Sequence, residues 1–194
     1  MELIKQLSKY TIEEQFEIKE DFESCLISYR NKKYLCKHFF DAQVMYEELY
    51  RYHKLKKCNI SVPKLIKVYK KDQVCVFEHI SGENMAVFLS KQDIPDNILE
   101  QLFTQYRLCR QWKIDLNYLP ENFIFDGKYL RYISNDLYNT DKTISLDNYG
   151  IDFWLPTNKA KEHLGVLGLD IDKSRILSPA EAKKKIVLIS VLYW

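Results

Sequence analysis

Glycine is scarce in this chain, and its placement limits the folds open to it. Of 194 residues only 5 are glycine: Gly82, Gly127, Gly150, Gly165 and Gly168. Average usage predicts about 13, and residues 1–81 hold none. No two glycines lie two or five residues apart, so no GxGxxG or GxxxxGK[ST] phosphate loop exists. Collagen-like and glycine-rich low-complexity classes are excluded as well. A hydrophobic content of 46% with 14% aromatics is ample for a packed core and argues against intrinsic disorder. The length suits one domain of ordinary size, or one domain built as two small lobes.

The net charge of +2 does not mark a nucleic-acid or membrane protein. Cys25, Cys36, Cys58, Cys75 and Cys109 are odd in number and none form a C-x-x-C pair, so they read as reduced, mostly buried thiols of a cytoplasmic protein. The start, Met1-Glu2-Leu3-Ile4-Lys5, lacks an apolar signal-peptide core. The longest apolar run, Ile186 to Trp194 interrupted by Ser190, is too short for a bilayer, which needs about 20 residues. It reads as a core-docking final helix, with no membrane partner.

Residues 14–39 read as strands, from alternation in Phe16-Glu17-Ile18 and in Tyr34 to Phe39, with a hairpin turn at Arg30-Asn31-Lys32. Residues 41–57 read as a helix whose stripe is Met45, Leu49, Tyr52 and Leu55. Glu48 falls inside that stripe, whereas Glu47 falls with Arg51 and Lys54 on the polar side. An inward carboxylate is costly unless a cation meets it, so Glu48 demands a buried partner. After Pro63, residues 64–78 read as strand, turn, strand, and Ile80-Ser81-Gly82-Glu83 breaks the pattern as a boundary between two lobes. Two helices follow, over 84–91 and from about Asp93 onward, the second with a core face of Leu99, Leu102, Phe103, Tyr106 and Cys109. Lys113 to Asn122 reads as a loop, and Phe123 to Ile133 as a hairpin around Asp126-Gly127. A polar helix lies near 157–164, and Ser178-Pro179-Ala180-Glu181 caps a last one.

This order, with its motifs, resembles the protein-kinase-like superfamily. Tyr34-Leu35-Cys36-Lys37 resembles the end of the third kinase strand, whose Lys holds the ATP phosphates, and Glu48 resembles the helix Glu that pairs with it. Asn59-Ile60-Ser61-Val62-Pro63 resembles the entry to the fourth strand, and Val76-Phe77-Glu78-His79-Ile80-Ser81-Gly82 resembles the hinge. By that resemblance Phe77 is the gatekeeper, and the backbone of Glu78 and Ile80 meets adenine. Leu119-Pro120-Glu121-Asn122 resembles the second half of the catalytic loop, with Asn122 at the metal-binding Asn. The likeness is nearest to compact kinases such as that of the KEOPS tRNA-modification complex. Small bacterial kinase-like proteins share it through the segment Leu146 to Trp154. It covers roughly residues 14–155. It implies an α+β, bilobal kinase-like fold in one domain. An N-lobe over 1–80 holds an antiparallel sheet plus one helix, and 81–194 form a reduced, mostly helical C-lobe.

The departures bear on function. The family's base Asp lies five residues before the Asn, and here that position is Asn117. The metal-binding Asp of the DFG motif lies twelve after it, and here that is Ser134. The catalytic-loop His is also missing, with Asp115 in its place, and no glycine loop exists near 20–28, where Glu23 stands instead. An amide has no basic pKa near 7, and a lone hydroxyl is a poor Mg²⁺ ligand. The expectation is a pseudokinase that acts by binding a protein partner, with ATP and Mg bound weakly or lost. A second reading keeps an active phosphotransferase, with Asp115 as base and Asp136 as metal ligand. Taken alone, those two aspartates read as solvated loop residues, Lys37 and Glu48 as an ordinary ion pair, and Trp154 and Tyr149 as core. The histidines at 38, 53, 79 and 163 show no metal-ligand pattern. A third reading rests on Arg51, Lys54, Lys56, Lys57, Lys64, Lys67, Lys70 and Lys71, a strip free of acidic residues that could meet RNA or an acidic partner.

Overall fold

The computed structural model of the protein describes residues 9–139 and 145–193. The readings made on Met1–Lys5 and Trp194 lie outside them. Within them the chain is α+β, with five α-helices and a five-stranded antiparallel sheet. It divides into two compact units, one comprising residues up to Lys54 with Pro63–Ile80, the other Leu55–Val62 with Ser81 onward.

In the first unit the sheet runs β1 (Thr11–Ile18), β2 (Phe22–Tyr29), β3 (Lys32–Phe39), β5 (Val74–Glu78), β4 (Leu65–Tyr69). The β2–β3 connection is the two residues Arg30 and Asn31, with φ of 50° and 61°. Positive φ at both positions gives a turn whose twist matches the strands it joins. One sheet face buries Cys25, Ile27, Cys36, Val74 and Val76 beneath Tyr29, Tyr34 and Tyr69. The opposite face carries Lys37, registered between Ser24 of β2 and Cys75 of β5. Helix α1 (Ala42–Lys57) buries Met45, Glu48, Leu49, Tyr52 and Leu55, the stripe expected, while Glu47 is exposed.

The second unit holds helices α2 (Met85–Lys91), α3 (Asp96–Gln111), α4 (Asn158–Val166) and α5 (Pro179–Tyr193). The whole predicted face of α3, Leu99 through Cys109, is buried, with Ile98 and Gln105 added. Each large apolar side chain there stabilises by about 1.5–3 kcal/mol. Ser178 and Glu181 form the capping box of α5, exchanging backbone N–H bonds of 2.9 and 3.4 Å. The expected hairpin is β8 (Phe123–Phe125) and β9 (Leu130–Tyr132), joined by β6 (Glu83–Asn84) in a three-stranded sheet. All five cysteines are free and buried. No helix among the described residues is long and apolar enough to cross a membrane.

Three expectations are corrected. The loop at 113–122 contains strand β7 (Ile114–Leu116), paired antiparallel with β10 (Leu137–Asn139). All three β7 residues are buried, so no alternation betrays the strand. Tyr149 is 44% exposed rather than core, although Trp154 is fully buried. Finally, α5 buries only Ala182 and Ile189, leaving Val187, Leu188, Val191 and Leu192 exposed, because its apolar residues run all round the helix rather than on one side.

Gly82 is required sterically. A Cβ there would lie 2.3 Å from the Phe125 carbonyl oxygen and 2.7 Å from Ile124 Cγ2. Gly82→Ala should therefore lower unfolding stability by about 1–3 kcal/mol, as overpacking does, and urea melts check it.

Candidate functional site

Glu48 finds the cation that its place in the α1 stripe demands. Lys37 Nζ donates to Glu48 Oε1 at 2.6 Å, with side chains only 14% and 9% exposed. Arg51, one helical turn on, reaches the other carboxylate oxygen at 3.5 Å. The Lys37 ammonium also lies 4.9 Å from the Phe22 ring centroid and 5.9 Å from that of Phe77. Both distances fall in the cation–π range. Phe22 went unnoticed in the sequence. Its signal was periodicity: Ser24 is registered opposite Lys37, so Phe22, two residues earlier on β2, shares the same sheet face.

The other expected residues of the first unit lie on or just after strands β2 and β5. Phe77 is buried on β5, edge-on to Tyr52 at 5.8 Å. The Glu78 N–H donates to the Lys64 carbonyl, and its carboxylate accepts from the Lys64 N–H. Ile80 is buried at the end of the unit. Glu23, at the place of the missing glycine loop, bonds His38 across the β2–β3 pair at 2.9 Å.

In the second unit, residues 115–136 form a hydrogen-bonded frame. Asp115 is wholly buried on β7, not a solvated loop residue. It accepts from the Tyr118 hydroxyl at 3.3 Å and lies 3.9 Å from Arg110. The Asn117 N–H donates to the Tyr132 hydroxyl at 3.2 Å, and that hydroxyl donates to the Asp136 carbonyl at 2.9 Å. Burial holds the Tyr132 phenol well above its ordinary pKa of 10, so it remains a donor. The Asn122 amide donates to the Asn117 carbonyl at 3.3 Å, and the Asn122 carbonyl accepts from the Ile133 N–H. The Ser134 hydroxyl accepts from the Asp136 N–H at 3.1 Å. Asp136 itself is exposed. Asn84 caps α2 and donates to the Glu121 carbonyl at 2.8 Å, anchoring the short 3-10 turn Pro120–Asn122.

Of the residues expected at Mg²⁺, Asp136 alone carries a carboxylate; Asn122 Nδ2 donates within the frame and the Ser134 hydroxyl accepts there, and among the described residues no three His, Cys, Asp or Glu side chains gather to hold a metal. Of the basic strip, Lys56, Lys57, Lys64, Lys67, Lys70 and Lys71 are exposed. Arg51 and Lys54 are half-buried, and Arg51 is turned to Glu48. The chain matches no protein-family model and no curated protein.

Two substitutions test this geometry. Lys37→Met leaves Glu48 buried without its closest cation, the Arg51 contact being longer. It should cost about 3 kcal/mol in chemical denaturation, while Lys37→Met with Glu48→Leu recovers most of the loss. Tyr132→Phe strands the Asn117 N–H and the Asp136 carbonyl and should cost about 1–3 kcal/mol, read as a lowered Tm.

Proposed function

We propose that the chain is a protein-kinase-like domain of the pseudokinase type, a cytoplasmic binding module rather than a phosphotransferase. In this reading residues 1–80 are its N-lobe and 81–194 its reduced C-lobe. The observation that carries it is the Lys37–Glu48 pair, joining the third strand to the helix that follows it. That is the pair with which a kinase presents a lysine to nucleotide phosphates.

The second unit supports the pseudokinase half. Phosphoryl transfer needs a base at the hydroxyl and carboxylates on the metal. Asn117 supplies no base. Asp115, the nearest acid, is sealed in β7 against Tyr118. Ser134 is spent on a turn. On the nucleotide side, Lys37 already rests against two aromatic faces, and residues 20–28 hold no glycine with which a loop could wrap phosphates. Nucleotide affinity is accordingly weak, and the protein acts through a protein partner.

A thermal-shift titration with ATP, with and without Mg²⁺, tests the nucleotide half. Saturation near a hundred times Kd should stabilise by about 2.7 kcal/mol. The shift should need Lys37 and not Mg²⁺. A flat titration that Lys37→Ala leaves unchanged removes nucleotide binding from the proposal. For the catalytic half, no labelled phosphate should transfer from Mg-ATP to a protein substrate. Transfer that Lys37→Ala abolishes would show an active kinase, and Asp136→Asn would then report whether that residue serves it.

A further inference from the structure

The second unit contains a cavity of about 310 Å³ that the kinase-like reading does not use. It is framed by Leu116 and Asn117 after β7, Tyr138 of β10, Tyr149 and Phe153 at the 3-10 segment Gly150–Trp154, and His163 of α4. We propose that this cavity binds an uncharged, electron-rich planar heteroaromatic ring of nucleobase size.

Its walls are preformed. A Cβ on Gly150 would lie 3.0 Å from Tyr118 Cβ and 3.3 Å from Leu146 Cδ1, so the 3-10 segment packs directly on the chain just after β7. Trp154 Nε1 locks the same contact by donating to the Tyr118 carbonyl at 2.6 Å. The Tyr118 hydroxyl is drawn away to Asp115. The volume lies at the small end of the range for ligand pockets, enough for one or two fused rings.

The charges select a neutral ligand. Lys159 Nζ sits 3.7 Å from the Tyr149 ring centroid and 4.7 Å from that of Phe153, and pairs with Asp152 at 3.2 Å. Those rings already hold a cation, which disfavours an organic cation in the cavity. At the other end Glu121 bonds His163 Nε2 at 2.9 and 3.1 Å, and its carboxylate disfavours an anion. A cation on one face of a tyrosine withdraws electron density from the ring, which favours stacking of an electron-rich partner on it.

The polar groups select a ring with a hydrogen-bonding edge. The Glu121 carboxylate holds His163 by Nε2 and fixes its ring at this end of the cavity. Asn117 Oδ1 takes a long 3.4 Å bond from the Leu119 N–H, and among the described residues its amide nitrogen has no acceptor. The site thus offers the Asn117 amide as a donor on a largely aromatic wall. A ring edge carrying an acceptor nitrogen answers it.

The test uses the whole chain with adenine as probe, titrated by saturation-transfer NMR. Adenine should bind. Tyr149→Ala should weaken it about tenfold, the usual scale for losing a stacking ring, and Tyr149→Phe should restore it. Asn117→Ala should also weaken it. The kinase-like reading places adenine on the backbone of Glu78 and Ile80, so dependence on Tyr149 and Asn117 separates this cavity from that hinge, and either proposal can fail alone. Absence of binding up to the solubility limit overturns the inference. So does an affinity that Tyr149→Ala leaves unchanged.

Discussion

A carboxylate that must be buried organises the first unit. Glu48 lies inside the apolar stripe of α1, and a lone charge there would cost several kcal/mol, about the whole margin by which a domain of this size is stable. Lys37 answers it from the middle of β3, at 2.6 Å. That meeting fixes which turn of α1 faces the sheet and which sheet face is the inner one. Phe22, Cys75 and Phe77 fall on the Lys37 side by register alone. Burial first, and then the nearby Glu48 carboxylate, push the Cys75 thiol up to about 12, so it stays neutral. The inner face therefore sets the Lys37 ammonium against the Glu48 carboxylate, with the Phe22 and Phe77 rings and the neutral Cys75 thiol beside them.

The parts legible in the sequence were those with period. Eight-residue strands and a sixteen-residue helix display enough repeats for alternation and stripe to separate. Glu48 stood out because it broke a stripe, and the partner it required exists. The parts that were hidden are short or depend on distant chain. Strands β6, β7 and β10 have two or three residues each, too few for a period, and β7 is buried on every side. Asp115 looked solvated because its cover, Tyr118 and Arg110, comes from chain on either side of it. Tyr149 and the end of α5 fail for the opposite reason. Apolar composition reports what a residue tolerates, and burial depends on whether a neighbour arrives.

In the frame from Asp115 to Asp136, polar residues hold neighbouring segments by their own hydrogen bonds. Asn117, Asn122 and Ser134 each spend hydrogen-bonding groups on nearby backbone. Tyr132 joins the two ends of the frame, taking an N–H from Asn117 and giving its proton to the Asp136 carbonyl. A buried phenol with both bonds made is worth retaining, because removing it strands two backbone groups at once. In the proposed reading, positions that once served phosphate chemistry now keep two loops in place. Side-chain amides and hydroxyls suit that task better than carboxylates, since they bring no charge into a site where Asp115 is already buried.

The glycine shortage then has a physical sense. In the first unit, tight turns are made without it: Arg30, Asn31 and Gln73 all take positive φ. A non-glycine residue there costs of order 1 kcal/mol, so this unit accepts strain in exchange for side chains. Those side chains are what a phosphate lid cannot have, because a lid needs backbone to approach the ligand with no Cβ in the way. Where the chain does use glycine, at Gly82 and Gly150, it serves close packing of its own segments. Close approach here serves the fold itself, and Gly150 does so at the wall of an aromatic cavity. That cavity thus lies in the unit that holds the glycines, and the Lys37–Glu48 pair in the unit that has none.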